Sequence, residues 1–346
     1  MVTSPNSIAL EGTEDAGIIW ISHVVNGRRK EEFLKPGEAK IDVLDHGLLY
    51  GGGIFEGINF YTINGKTGVL FLDEHLDRFY DGIYALRITP VTTKDSLKKR
   101  ILETVEKSGL ERGYIRPVIT RGVGEELGIS APCIDPTLFI YVCPPPHLFS
   151  EEAYQKGLSV EISPNTRISA SEKNTTRLKW LDYALNTEAK VAANKRGYND
   201  AIMMVRMTVE RVPDGDGGEK EIVKRYVSEG TASNVFFVDK EGVLKTPSLE
   251  CNCLDGVTRK AIIDLAKKKG LKVEEGRYTE NDLLNAKEVF YTGTAAGVIA
   301  ITSINKIKIG EGREGKITRM LREAYNNEVI PNNLTPIREA NKVLIR

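Results

Sequence analysis

The chain has 346 residues, 41% hydrophobic and 28% charged, the profile of a folded globular protein and not of a disordered one. Forty-eight basic residues balance forty-eight acidic ones, which removes the basic excess that nucleic-acid or anionic-membrane binding calls for. No apolar run reaches the about 18 residues of a bilayer span, and the length exceeds the roughly 250–300 residues that one core serves, so two domains are expected. Met1–Gly17 is too polar and acidic for a signal or transit peptide. Four cysteines (Cys133, Cys143, Cys251, Cys253) are too few for a disulfide scaffold and fit a reducing cytoplasm. Four scattered histidines, with no CxxC or HExxH, give no expectation of a metal site.

In chain order, Gly17–Val25 reads as a strand, and Tyr61–Leu72 as a hairpin turning on Asn64-Gly65. Helices are expected over Asp73–Ile88, with acids in its first turn, and over Thr93–Leu110, capped by Thr93. Tyr114–Thr120 and Pro136–Val142 read as strands around a Gly-rich loop, Arg121–Ala131. Pro144-Pro145-Pro146 then breaks the pattern, since three prolines cannot join a sheet ladder. The division expected is a small α+β domain over 1–143, a linker over 144–152 and a larger domain over 153–346. In the larger part, strands are expected over Leu158–Ile162, Ala201–Val209, Ser233–Val238 and Glu288–Thr292. A helical stripe runs through Leu181, Ala184, Leu185, Ala189 and Ala192, and a further helix covers Asp255–Gly270. Pro213–Gly218 reads as a hairpin tip or insertion without assigned chemistry.

Several segments invite a chemical reading. Gly310-Glu-Gly312-Arg-Glu-Gly315 matches GxGxxG and nearly matches a P-loop, but Ile317 replaces the required hydroxyl. Only 31 residues follow Gly315, too few for a dinucleotide half-fold, so a tight turn into a helix is expected there. Gly256-Val257-Thr258 and Thr292–Gly297 each read as a helix start able to offer amides and hydroxyls to an anion. Glu229, within Ser228–Asn234, needs a cationic or protonated partner if it is buried. Lys179, between Leu178 and Trp180, is a candidate nucleophilic amine among apolar neighbours. A lysine for an imine, an acid for a ring nitrogen, and amides with hydroxyls for a phosphate together suit pyridoxal 5′-phosphate.

The order of these segments resembles the fold-type IV pyridoxal-phosphate enzymes, most closely the branched-chain aminotransferases. The resemblance runs from about Ile18 to Ile330. It rests on His46–Gly57, Glu74–Arg78, Tyr114–Pro117, Lys179–Tyr183, Val227–Gly230, Gly256–Thr258 and Gly293–Ala296. It implies an α+β two-domain, fold-type IV architecture. It implies that Lys179 forms the imine and shuttles protons, whereas Lys173, Lys190 and Lys195 fit no motif. Glu229 is implied as partner of the pyridine nitrogen and Tyr183 of the phenolic oxygen. Arg78, Val257, Thr258 and Thr294 are implied as phosphate ligands. Tyr50, Phe55 and Gly57 would line the side-chain pocket, Tyr114 and Arg116 would sit near substrate, and Thr294 and Ala295 would meet the α-carboxylate. Two departures bear on substrate: Asn59 stands where the family usually has arginine, and Gly297 where it usually has glutamate.

The resulting expectation is a cytoplasmic, homodimeric or larger transaminase that exchanges the amino group between Leu, Ile or Val and 2-oxoglutarate. Its partners are small amino acids and 2-oxo acids, with no nucleic acid and no membrane. Rival readings on the same fold are a D-amino-acid transaminase, an (R)-amine transaminase and an aminodeoxychorismate lyase. A catalytically silent binding protein is a rival of another class, against which the presence of both Lys179 and Glu229 speaks.

Overall fold

The computed structural model describes residues 16–129, 132–167, 178–213 and 218–337. The chain divides into two compact units, one running to Pro146 and rejoined by the segment from Leu334, the other spanning His147–Asn333.

The first unit carries β1 (Ile18–Val25), β2 (Arg28–Leu34), α1 (His46–Tyr50), β3 (Gly53–Phe55), β4 (Ile58–Ile63), β5 (Lys66–Leu70), α2 (Leu72–Ala85) and α3 (Lys94–Ser108). β6 (Arg112–Thr120), the short pair β7 (Val123–Gly124) and β8 (Cys133–Ile134), and β9 (Leu138–Cys143) follow. Its sheet is eight-stranded, with β6 central between β4 and β9 and also paired to β3. Asn64 and Gly65 both take positive φ (52° and 71°), the geometry of a two-residue hairpin turn, so the Asn-Gly signal reads true. α3 starts as expected, with the Thr93 side chain accepting from Ser96 N. α2 buries Leu72, Leu76, Phe79 and Ile83, spaced to form one stripe against the sheet. At Gly82 the helix comes so close to β3 that an added Cβ would sit 2.9 Å from Ile54.

The second unit carries α4 (Glu151–Lys156), β10 (Leu158–Arg167), α5 (Ala184–Lys195), β11 (Asp200–Pro213), β12 (Glu219–Gly230), β13 (Asn234–Val238) and β14 (Leu244–Pro247). Then come α6 (Val257–Lys268), β15 (Val273–Gly276), α7 (Glu280–Leu284), β16 (Glu288–Gly293), β17 (Gly297–Ile304), β18 (Ile307–Lys308) and α8 (Lys316–Ala324). The nine-stranded sheet runs β12-β11-β10-β17-β16-β13-β14-β15, with β18 on β17. Val160, Ile202, Val235, Val289 and Ile301 are in its buried core.

Three expectations need correction. The C-terminal end does not stay with the larger unit: β19 (Leu334–Pro336) pairs antiparallel with β5, Leu334 opposite Leu70. α5 begins only at Ala184 and buries Ala189 and Ala193, while Leu185 is exposed, so the buried stripe lies one position from the expected one. Small alanines at this spacing let the helix lie close on Ala201 and Met203. Thr292–Gly297 is not a helix start but the turn joining β16 to β17, with Gly297 at φ +64°. The segment 213–218 joins β11 to β12, and its residues 214–217 lie outside the described residues, as does Lys173.

The GxGxxG segment is a turn into α8. Glu288 occupies the helix's amino end, its carboxylate accepting from Ile317 N (3.0 Å), Thr318 N (2.7 Å) and Thr318 Oγ1 (2.7 Å). An acidic side chain already fills the place a phosphate would need, and a Cβ on Gly315 would collide with it at 2.0 Å.

Candidate active site

In the second unit, Glu229 lies at the end of β12, next to the glycine that closes the strand. Its carboxylate is about nine-tenths buried (9% exposed), as is the Arg167 guanidinium beside it (10%), which ends β10. Arg167 Nη1 donates to Glu229 Oε1 at 2.5 Å and to the Asn252 carbonyl at 3.0 Å. Oε2 accepts from Asn234 Nδ2 (2.9 Å) and from Leu254 N (3.1 Å). Every one of these partners is a donor, the environment a buried carboxylate requires. Arg167 is thus the cation that a buried Glu229 demands. Burial, reinforced by the nearby Glu229 charge, pushes the Cys253 thiol up to about 12.

Asn234 links the acid to the amino end of α6. Its amide also donates to the Leu254 carbonyl at 2.9 Å, and its Oδ1 lies where a Cβ on Gly256 would be only 2.1 Å away. Only glycine fits there. Gly256 is the N-cap of α6 and contributes no side-chain cap, so Val257 and Thr258 open the helix without a capping side chain. Arg259, next in line, is buried and clamps this end to Pro247 O (2.9 Å) and Glu275 (2.5 Å). On its other side Asn234 stands opposite Thr292 in the β13–β16 ladder. The β16–β17 turn bearing Thr294 and Ala295 is therefore next to the turn after Glu229, with Gly293 against Ser233 and Ala232.

Lys179 is half-buried, its Nζ 3.4 Å from Tyr183 OH and 5.8 Å from the Tyr183 ring centre. Tyr183 is the N-cap residue of α5. One turn on, Asn186 Nδ2 donates to the Thr231 carbonyl at 2.5 Å, which anchors the helix to the turn after Glu229. Lys190 is 3.3 Å from buried Asp200 and covers Phe149, a structural use, and Lys195 is exposed. The second unit therefore joins Glu229 through Asn234 to the end of α6 that opens with Val257 and Thr258. It sets the turn of Thr294 and Ala295 beside the turn after Glu229, and ties α5, which Lys179 and Tyr183 precede, to that same turn. The donor set suits a phosphorylated heteroaromatic cation: a buried acid, a helix amino end and a turn of small residues.

The remaining expected site residues lie in the first unit. The Arg116 guanidinium stacks 4.6 Å from the Phe55 ring centre and 5.4 Å from that of Tyr114, and its Nη2 donates to Tyr114 OH at 3.1 Å. Residues 114 and 116 share a face of β6, as strand alternation requires. Arg116 Nε is buried without a hydrogen-bond partner, and no ion pair among the described residues includes Arg116. Gly57 is demanded by this cluster, since a Cβ there would be 1.9 Å from Tyr114 OH. Tyr50 ends α1, 44% exposed, with its hydroxyl bonded to the Leu127 carbonyl. Arg78, on α2, grips the Glu56 carboxylate through Nε (2.7 Å) and Nη2 (2.8 Å). Asn59 donates to Tyr61 OH at 3.0 Å.

Residues 53–304 match the family model for amino-transferase class IV. The chain belongs to the class IV aminotransferases. It is 37% identical over 298 residues to a putative branched-chain-amino-acid aminotransferase of Methanocaldococcus jannaschii, covering 86% of this chain and 93% of that protein. It is 31% identical over 315 residues to the branched-chain-amino-acid aminotransferase of Escherichia coli K12, covering 90% and 93%. The solved structure of the Escherichia coli enzyme superposes with a TM-score of 0.80 at 29% identity, covering 93% of this chain and all of that one (100%). The branched-chain amino acid aminotransferase of Thermobaculum terrenum, solved with pyridoxal phosphate bound, superposes with a TM-score of 0.76 at 28% identity, covering 94% and 99%. This class IV aminotransferase has the fold-type IV architecture, is a transaminase, and uses pyridoxal 5′-phosphate.

Two site residues escaped the sequence reading. Asn234 closes the quoted Ser228–Asn234 segment, and an amide five residues from the acid was the available signal. Arg167 carried none beyond the need of a buried Glu229 for a cation.

Proposed function

We propose that this aminotransferase moves the amino group of a branched-chain L-amino acid (Leu, Ile or Val) to 2-oxoglutarate. The observation that carries the reading is Arg116, laid on Phe55 and Tyr114 with a buried Nε unpartnered. An aromatic wall accepts an aliphatic side chain, and a guanidinium within that wall offers a charge-assisted contact to the second carboxylate of glutamate. The names of the relatives agree with the donor class. A further structural neighbour, a branched-chain amino acid aminotransferase 30% identical to this chain, has been solved with two informative ligands. One is 4-methylvaleric acid, with an aliphatic chain, and the other N-(5′-phosphopyridoxyl)-L-glutamate, with a second carboxylate.

Bound, the cofactor supplies an electron sink for the pair left on the substrate α-carbon when its proton departs. Lys179 Nζ would hold the cofactor covalently and would serve as the base that takes and returns that proton. Tyr183 OH orients this amine from 3.4 Å. Glu229, braced by Arg167 and Asn234, would hold the ring nitrogen. In the second unit Val257, Thr258 and Thr294 would hold the phosphate and Ala295 would meet substrate. In the first, Arg78 would be a phosphate ligand and Tyr50, Phe55, Gly57 and Tyr114 would line the side-chain pocket.

The reading includes self-association and a cytoplasmic site of action. Val43, Leu48, Leu127 and Ile129 are 62–74% exposed around the segments that the Tyr50–Leu127 bond joins. Exposed apolar side chains such as these favour burial against a second copy. No described helix is long and apolar enough to cross a membrane.

An amino-donor screen with 2-oxoglutarate and pyruvate as alternative acceptors tests the reading. L-Leu, L-Ile and L-Val with 2-oxoglutarate are expected to give the highest kcat/KM. Preference for D-amino acids or (R)-amines, or for pyruvate, would replace it with a rival on the same fold.

A further inference from the structure

Glu56 is a buried charge that the reaction does not use directly. It sits between β3 and β4, 1% exposed, with its own N–H bonded to Pro117 O at 3.0 Å. Its carboxylate is saturated with donors. Oε1 accepts from Arg78 Nε (2.7 Å), and Oε2 from Arg78 Nη2 (2.8 Å), His75 Nδ1 (2.8 Å) and Gly57 N (3.3 Å). Burial alone would raise the Glu56 carboxyl, but Arg78 and His75 hold it well below the usual carboxylate range. Because the ionised carboxylate only accepts, His75 must present Nδ1–H to it.

His75 and Arg78 are one turn apart on α2, where Leu72, Leu76 and Phe79 pin the helix to the sheet. Neither end of the contact is on a mobile loop. A buried ion pair is a poor device for stability, since apolar residues of the same volume often serve as well or better. Its virtue is geometric. A carboxylate gripping Nε and one terminal nitrogen fixes the guanidinium plane, and so fixes where the other donors of Arg78 point.

We propose that Glu56 is a positioning residue that presets Arg78 for the cofactor phosphate, with His75 bracing the same carboxylate through Oε2. The proposal rests on the reading of Arg78 as a phosphate ligand. An arginine ordered before the phosphate arrives has already surrendered its rotamer freedom, so binding keeps more of the ion-pair energy.

Reconstitution of the full-length apoprotein, followed by visible absorbance, tests this with two probes: pyridoxal 5′-phosphate and pyridoxal, which lacks the phosphate. Glu56→Gln puts an amide where both neighbours donate. It should weaken pyridoxal 5′-phosphate binding about tenfold while leaving the pyridoxal affinity within about twofold. Glu56→Asp, which keeps the charge but withdraws it by one methylene, should act in the same direction and serves if the glutamine variant does not fold. In an Arg78→Ala background, Glu56→Gln should cost nothing further, because it acts through Arg78. Unchanged affinity for pyridoxal 5′-phosphate, equal losses for both probes, or losses that add to those of Arg78→Ala would each overturn the proposal. Arg78→Ala that binds pyridoxal 5′-phosphate as tightly as the wild type would remove instead the reading on which it rests.

Discussion

Arg167 and Glu229 meet at 2.5 Å where β10 and β12 end, each side chain about nine-tenths buried. Removing one partner of such a pair strands the other charge out of water. Arg167→Met should therefore cost about 3–5 kcal/mol of stability. The double variant Arg167→Met/Glu229→Gln should recover part of that loss, because no orphan charge remains. Urea denaturation of the four proteins of the cycle checks this, and a single-variant cost below about 1 kcal/mol would mean that the pair is solvated.

Gly256 sits where a Cβ would lie 2.1 Å from Asn234 Oδ1, and the Asn234 amide is held by both Glu229 and Leu254. Gly256→Ala must displace either Asn234 or the first turn of α6. The expected cost is about 1–3 kcal/mol of stability, of the order of an overpacked core. Weaker cofactor retention should accompany it, because the acid and the proposed phosphate-binding end are disturbed together. Dialysis followed by absorbance measures the second effect, and full retention would show that the two are independent.

The Glu56 carboxyl gives a pH signature. Burial raises it, while Arg78 and then His75 lower it by more, so its folded-state pKa is depressed. A depressed carboxyl stabilises the fold above its unfolded value, near about 4.3, and loses that contribution as pH falls toward the folded value. The stability gap between wild type and Glu56→Gln should thus narrow as pH falls below about 4.3. Urea midpoints across this range decide it, and a gap that widens with acid contradicts the assignment.

Lys179→Ala should abolish the borohydride-sensitive visible absorbance of the holoenzyme and nearly all turnover, while circular dichroism shows an intact fold. Lys190→Ala should keep the absorbance, since Lys190 is taken up by Asp200. Retained transamination in Lys179→Ala would place the covalent attachment elsewhere.

Local chemistry made much of the fold legible. Thr93 announces α3 and Asn64-Gly65 announces a hairpin, because caps and turns are decided within a few residues. Long-range pairings were not legible. β19 is three residues long and owes its place to β5, far upstream, so no pattern within Leu334–Pro336 reveals it. The small-residue run Thr292–Gly297 reads as a helix start, and only the pairing of β16 with β17 makes it a turn. The candidate site shows the same division. Lys179 and Glu229 are singled out by the order of segments, whereas Arg167 is joined to Glu229 only by the folded sheet. GxGxxG reads as a turn into a helix because too little chain follows it, and the structure has that turn, with Glu288 supplying the charge that the helix end attracts.

The most direct test of a pocket that serves both an aliphatic side chain and a carboxylate is single-turnover kinetics on Arg116→Met. Methionine keeps an apolar surface against Phe55 and Tyr114 but removes the cation. The half-reactions with glutamate and 2-oxoglutarate should slow by about tenfold or more, the loss of a charge-assisted contact of roughly 1.5–3 kcal/mol. The leucine half-reaction should change little. Equal slowing for leucine and glutamate would make Arg116 a purely structural residue, and no slowing of either would contradict the proposed recognition of 2-oxoglutarate.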